Sequence, residues 1–143
     1  MHYFEDLAIG QSWRPGTVTF TAEEIRDFAE AFDPQPIHLD EAAGREHFGG
    51  LIASGWHTAA ACMRPLATDV LDDIAVIAAL GIDELRWRKP VRPGDELAIE
   101  TTLVGLDPWD DHRGKVTFRL EAYNQHDELV HDRTEMVLVE RRE

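Results

Sequence analysis

Residues 55–63 read Gly-Trp-His-Thr-Ala-Ala-Ala-Cys-Met, a run of mostly small side chains with no charge before Arg64. Ser54 stands in front of it as a helix cap. A helix without a charged face has no side to offer to water, so the run predicts a central helix buried nearly all round, as when a sheet encloses it. Pro65 lacks the N–H that would bond the carbonyl of Ala61. The helix is therefore expected to kink or to finish near Arg64, with residues 66–71 as a looser continuation.

The enclosing sheet must come mainly from the residues that follow. Residues 74–80 form an apolar run, and residues 82–88 alternate less cleanly before the Pro90-Val91-Arg92-Pro93-Gly94-Asp95 turn. Three longer strands are expected at 97–104, 115–123 and 129–139. In the second, Val116, Phe118, Leu120 and Ala122 share one face. Their connectors, 107–114 and 124–128, are rich in Asp, Asn, Pro or Gly, which predicts consecutive antiparallel pairing. One buried helix and about five strands, most of them after it, make an α+β fold with an antiparallel sheet wrapped round a central helix.

Ahead of the central helix, residues 17–20 favour a strand, and Thr21 with Glu24 forms a capping box for a helix carrying Ile25, Phe28, Ala29 and Phe32 on one face. Phe20 and Ile25 are placed as a hydrophobic staple. Pro34 and Pro36 disfavour helical backbone at the residue before each, so residues 33–37 are expected as a bent loop. Asp40 can cap a short helix over 41–47, which Gly49 and Gly50 end.

Composition narrows the classes of function. The 143 residues suit a single domain, 1–143, and 43% hydrophobic with 29% charged residues excludes a disordered chain. A formal net charge of -14 opposes binding to nucleic acid or anionic lipid. No apolar stretch approaches the ~20 residues of a membrane span, and the N-terminus lacks a basic region followed by an apolar one, so a soluble cytoplasmic protein is expected. The lone cysteine, Cys62, excludes a disulfide framework and reads as a buried, inert thiol. Arg86, Arg88, Lys89 and Arg92 concentrate four of the fourteen basic residues in seven positions. That local reversal of charge suits either an anionic small molecule or a solvated strand edge protected against pairing.

Asp33 and His38 are the pair whose chemistry merits weighing, because a carboxylate and an imidazole can together orient and activate a water. Five extended residues would span roughly 17 Å, so the two groups meet only if the prolines fold the loop tightly. The alternative is an Asp-Pro turn former beside a packing histidine. Asp110-Asp111-His112 and His131-Asp132 hold metal-ligand types without zinc-like spacing and are expected as solvated turn and surface residues, with no metal site.

Asp33-Pro34-Gln35-Pro36-Ile37-His38 followed by Gly50-Leu51-Ile52-Ala53-Ser54-Gly55 resembles the signature of the MaoC-like, or R-specific enoyl-CoA hydratase, family. The likeness extends from Tyr3-Phe4-Glu5-Asp6-Leu7 with Gly10-Gln11, through Lys89-Pro90-Val91-Arg92-Pro93-Gly94-Asp95, to Asn124-Gln125. It implies a hotdog fold and a homodimer with the thioester tunnel between subunits. It also implies addition of water to a trans-2-enoyl thioester, or the reverse dehydration of a 3-hydroxyacyl thioester. By that resemblance Asp33 is the base that activates water, His38 donates the proton to C2, and the backbone N–H of Gly55 receives the negative charge building on the thioester oxygen. No cofactor is implied beyond the coenzyme A of the substrate, whose phosphates Arg86, Arg88, Lys89 and Arg92 are candidates to meet.

Departures from the family pattern fall on the pocket wall. Gln35 stands for the usual Asn, Ser54 for the usual His, and Trp56-His57 for small or aliphatic residues. Gln35, Ser54, Trp56 and His57 are thus candidate substrate contacts. The last two either narrow the acyl tunnel or pack at the dimer interface. A hotdog thioesterase is the rival enzyme, but it usually draws a carboxylate from the central helix, and residues 55–68 contain none. A non-catalytic acyl-thioester-binding subunit is the third reading.

Overall fold

The computed structural model describes residues 1–142, so Glu143, the last position of the expected domain, lies outside the described residues. Two short strands, β1 (Ser12–Trp13) and β2 (Thr17–Thr19), lead to helix α1 (Ala22–Phe32), a helical turn α2 (Pro36–Leu39), α3 (Glu41–Phe48) and the long helix α4 (Gly55–Asp69). Four strands follow: β3 (Val76–Trp87), β4 (Glu96–Pro108), β5 (Arg113–Tyr123) and β6 (Leu129–Glu140). All six strands join one antiparallel sheet in the order β1-β4-β5-β6-β3, with β2 also on β4. This is the expected α+β hotdog arrangement.

Alternation along the three long strands supplies the core. Leu97, Ile99 and Leu103 of β4, Val116, Phe118, Leu120 and Ala122 of β5, and Val130, Val137 and Val139 of β6 are buried together. Except for Val130, which sits at the irregularity between the Ala122–His131 and Tyr123–Leu129 pairs, the period of two puts them on the face that receives α4, where Cys62 and Leu66 are fully buried. Burial pushes the Cys62 thiol up to about 12, as suits an inert packing thiol. β4, β5 and β6 pair consecutively as expected, with the second connector at 124–128, but the first is tighter: β4 continues to Pro108 and β5 begins at Arg113.

Expectations about β3 and α4 are corrected. Residues 74–80 and 82–88 are not two strands; β3 is one strand paired with β6, and irregularities at Val76/Ala78, Ala79/Gly81 and Asp83/Arg86 absorb the breaks in alternation. Helix α4 does not stop at Arg64 but runs on to Asp69, because Pro65 and Leu66 are buried against the core and that packing outweighs one missing N–H. Nor is α4 buried all round. Thr58, Cys62, Pro65 and Leu66 form its inner stripe, while Trp56 is 59% exposed. Its small, uncharged outer side joins β3 in lining an apolar hollow of about 420 Å³.

The elements before α4 place the site. Thr21 and Glu24 close the capping box at the start of α1, each side chain bonding the other's backbone N–H at 3.1 Å. Asp33 caps its end. Residues 33–37 are not a loop throughout: Pro36 occupies the first position of α2, where a missing N–H costs nothing and the fixed φ suits a helix. Asp40 caps α3, and Gly49, at φ 79°, ends it in the left-handed region. The chain between β3 and β4 then crosses from the β3 edge of the sheet to β4 on its far side. On the way Val91 accepts a hydrogen bond from the N–H of Ala53 at 2.8 Å, which fastens the entry to α4.

Candidate active site

Asp33 and His38 do meet. The end of α1, the turn α2 and the residues entering α4 converge so that Asp33 Oδ2 lies 3.5 Å from His38 Nε2. The tight fold that the prolines had to supply is a backbone bond from the Gln35 N–H to the Asp33 carbonyl at 2.7 Å, followed at once by α2. His38 is only 6% exposed, and its Nδ1 lies 2.9 Å from the carbonyl oxygen of Ile52. A carbonyl can only accept, so Nδ1 carries a proton and Nε2 is the nitrogen left to exchange one with the cleft.

The Asp33 carboxylate is held from both sides. Gln35 donates its amide to Oδ1 at 2.7 Å, and Ser54 donates its hydroxyl to Oδ2 at 2.6 Å. These donors, Ser54 first and Gln35 second, outweigh desolvation and with the nearby His38 hold the carboxyl below its usual range. Gln35 and Ser54, expected to touch substrate, are thus engaged with Asp33.

A cleft of about 410 Å³ opens over the pair, with Phe48, Gly55, Trp56 and Trp87 among its walls. Gly55 is the first residue of α4, where a backbone N–H has no intrahelical acceptor, and it makes no hydrogen bond among the described residues. The helix N-terminus adds partial positive charge at that point. The Trp87 indole lies directly over Gly55, so that a Cβ there would come within 2.3 Å of its Cδ2. A side chain here would force the indole or the start of α4 to shift.

The other expected contacts divide. Trp56 lines the cleft and meets Trp87 edge-on, with ring centroids 5.1 Å apart. His57 turns away from it. Its ring stacks on Phe28 at 4.9 Å and meets the edge of Phe20 at 4.9 Å, leaving Nδ1 buried without a partner. Burial lowers its pKa, so a neutral ring suits this aromatic sandwich.

Arg88 and Lys89 line the cleft, and Lys89 with Arg92 also lines an adjoining polar hollow of about 320 Å³. Arg88 is tied to Asp132, and Lys89 Nζ sits 2.6 Å from Glu128. Arg92 makes no ion pair among the described residues. Arg86 lines neither space; its Nη1 donates to the Leu85 carbonyl.

His131 and Asp132, expected at the surface, are buried at 0% and 1% exposure, because β6 lies inside the sheet and both faces of that stretch are covered. Asp132 is shared by Arg88 and Arg119, the latter at 2.7 Å. His131 Nε2 faces Arg133 at 3.0 Å, and Arg133 also pairs with Glu135 and donates to the Ala59 carbonyl of α4. Burial first, and the Arg133 charge second, depress the His131 pKa to about 4. Asp110 turns back onto Arg113 in an exposed loop. Among the described residues, no three His, Cys, Asp or Glu side chains converge as a metal site.

Two features of the site escaped the sequence. Trp87 had a weak signal as an aromatic inside the basic run, and the Ile52 carbonyl that orients His38 had none, since a backbone acceptor fourteen residues away leaves no mark in side-chain pattern.

Comparison with known proteins identifies the family. Residues 6–125 match the MaoC-like domain. Over its full length the chain superposes on the crystal structure of a MaoC-like dehydratase from Rhodospirillum rubrum, covering 99% of that chain with a TM-score of 0.91 and 44% identity. It is 30% identical over 138 residues to the uncharacterized protein YdeM of Bacillus subtilis, which covers 96% of this chain and 98% of YdeM. It is 32% identical over 121 residues to the (R)-specific enoyl-CoA hydratase of Rhodospirillum rubrum, covering 83% and 79% of the two chains. By sequence and by fold, the chain belongs to the MaoC-like domain family.

Proposed function

We propose that this protein is an acyl-thioester hydratase, acting on trans-2-enoyl-CoA or, in reverse, dehydrating a 3-hydroxyacyl-CoA. The observation that carries the reading is Asp33 Oδ2 facing His38 Nε2 across 3.5 Å beside the free N–H of Gly55. In hydration, a water between the two side chains attacks C3 as Asp33 takes its proton. The electron pair of the double bond moves toward the thioester oxygen, where the Gly55 N–H meets the charge, and protonated His38 gives its Nε2 proton to C2. The cycle closes when Asp33 returns its proton to Nε2. The donors that keep Asp33 ionised drive that return.

Arg92 and Lys89 are the basic residues best placed for the coenzyme A phosphates, at the hollow adjoining the cleft; Arg88 is largely committed to Asp132. Trp56 and Trp87 narrow the cleft beside Gly55, which suits a short acyl group. A homodimer is part of the proposal. β3 is an unpaired sheet edge carrying Ile77, Leu80, Ile82 and Trp87 at 42–46% exposure beside the apolar hollow against α4. Such an edge is covered in a stable protein. No helix among the described residues is long and apolar enough to cross a membrane, and cytoplasmic placement remains part of the proposal.

Offering purified protein crotonyl-CoA and longer trans-2-enoyl-CoAs tests the reading. Loss of the conjugated enoyl absorbance without free thiol supports a hydratase. Release of free coenzyme A favours a thioesterase. Binding with neither leaves an acyl-thioester-binding subunit.

A further inference from the structure

Ser54 is fully buried, and its hydroxyl serves two partners. The proton goes to Asp33 Oδ2 at 2.6 Å, and a lone pair accepts the N–H of Trp56 in the first turn of α4 at 3.2 Å. A hydroxyl has one proton to give, and a carboxylate can only accept, so the direction of both bonds is fixed. Asp33 is thereby joined through Ser54 to the N-terminus of α4, where the helix dipole favours negative charge. Gln35 holds the opposite oxygen at 2.7 Å. With one donor on each oxygen, the carboxylate cannot rotate freely about its last bond, and Oδ2 stays toward Nε2 of His38.

We propose that Ser54 is a positioning residue for proton transfer, holding Asp33 Oδ2 opposite His38 Nε2 through its hydroxyl rather than contacting substrate. The proposal rests on the hydratase reading of Asp33. A second consequence follows from the same bond: each donor stabilises the ionised carboxylate, and the depressed pKa of Asp33 has Ser54 as its largest cause. The other charged groups around the carboxylate are His38 from α2 and, across the cleft, Arg88 and Lys89. These two basic residues are neutralised by Asp132 and Glu128.

Capping and positioning are separable. Glycine at a helix N-cap is nearly as good as serine, so Ser54→Gly keeps the start of α4 and removes the bond to Asp33. Ser54→Thr restores a hydroxyl. The carboxyl of Asp33, followed by carbon NMR in labelled protein, is expected to titrate at higher pH in Ser54→Gly and to stay where it is in Ser54→Thr. In steady-state hydration, Ser54→Gly is expected to lower kcat roughly tenfold to a hundredfold, as for loss of one hydrogen bond to a charged group, with KM little changed and the acid limb of the pH profile moved up. An unchanged Asp33 titration and an unchanged acid limb in Ser54→Gly would overturn the inference. The NMR titration needs no turnover, so it decides the Ser54–Asp33 coupling even if the wild type hydrates nothing, a result that would defeat the hydratase reading alone.

Discussion

Replacing Gly55 by alanine adds one methyl group at the most crowded point of the cleft. The new Cβ would lie 2.3, 2.4 and 2.7 Å from Cδ2, Cε2 and Cε3 of Trp87, where ordinary van der Waals contact begins at 3.4 Å. The indole must therefore retreat by more than an ångström, or the first turn of α4 must shift. Neither is free: Trp87 is the last residue of β3, paired with His131 of β6, and α4 is anchored by Ser54 and Asp33. Forcing a group into a packed site costs about 1–3 kcal/mol, which denaturant titration of Gly55→Ala against wild type would read as a lower midpoint with the same slope. Loss of hydration should exceed loss of stability, because the Gly55 N–H moves with the backbone; removing one oxyanion donor costs roughly a hundredfold to a thousandfold in kcat. Adding Trp87→Leu to Gly55→Ala should recover part of the stability, as expected for two residues in direct contact. A Gly55→Ala protein as stable and as active as wild type would refute both the contact and the donor role.

Three further outcomes are expected. The His131 pKa is depressed from 6.5 to about 4, so the unfolded chain binds the extra proton and stability falls as pH drops from about 6.5 toward 4. A shift of that size amounts to about 3 kcal/mol in full, roughly 1 kcal/mol of it lost by pH 5.5. His131→Gln should remove that slice of the pH dependence of chemical denaturation, and an identical slope in the variant would count against a neutral buried ring. Arg92→Ala should raise KM for the CoA thioester several-fold with kcat retained, and the effect should shrink as salt rises; an unchanged KM removes Arg92 from coenzyme A binding. Ile82→Glu, on the outer edge of β3, should convert the proposed dimer to monomer by sedimentation, and a mass unchanged from a wild-type dimer would place the interface elsewhere.

Local chemistry carried much of this in the sequence. The Thr21–Glu24 capping box, the Asp40 cap and the glycine stop of α3 depend on neighbours within a few residues, and they stand where pattern puts them. The long strands follow from alternation that burial on one face requires. What sequence did not reveal was decided at a distance. Pro65 sits within α4 because Leu66 and Cys62 have a core to fill, a fact invisible in residues 55–69. His131 looked like surface because nothing in β6 itself shows that α4 and the sheet will cover it. In the site, residue types made Asp33 and His38 a pair to weigh and the family resemblance pointed to Gly55, whereas the Ser54 hydroxyl, the Ile52 carbonyl and the Trp87 indole act through contacts between segments 14–32 residues apart.

Asp33→Asn tests the central claim most directly. The amide keeps the size of the carboxylate but cannot take a proton from water, so hydration of crotonyl-CoA is expected to fall by about a hundredfold to ten-thousandfold, the range for loss of a general base. Binding of the thioester should survive. Full hydration activity in Asp33→Asn would contradict the account, because no other carboxylate among the described residues lines the cleft to take its place.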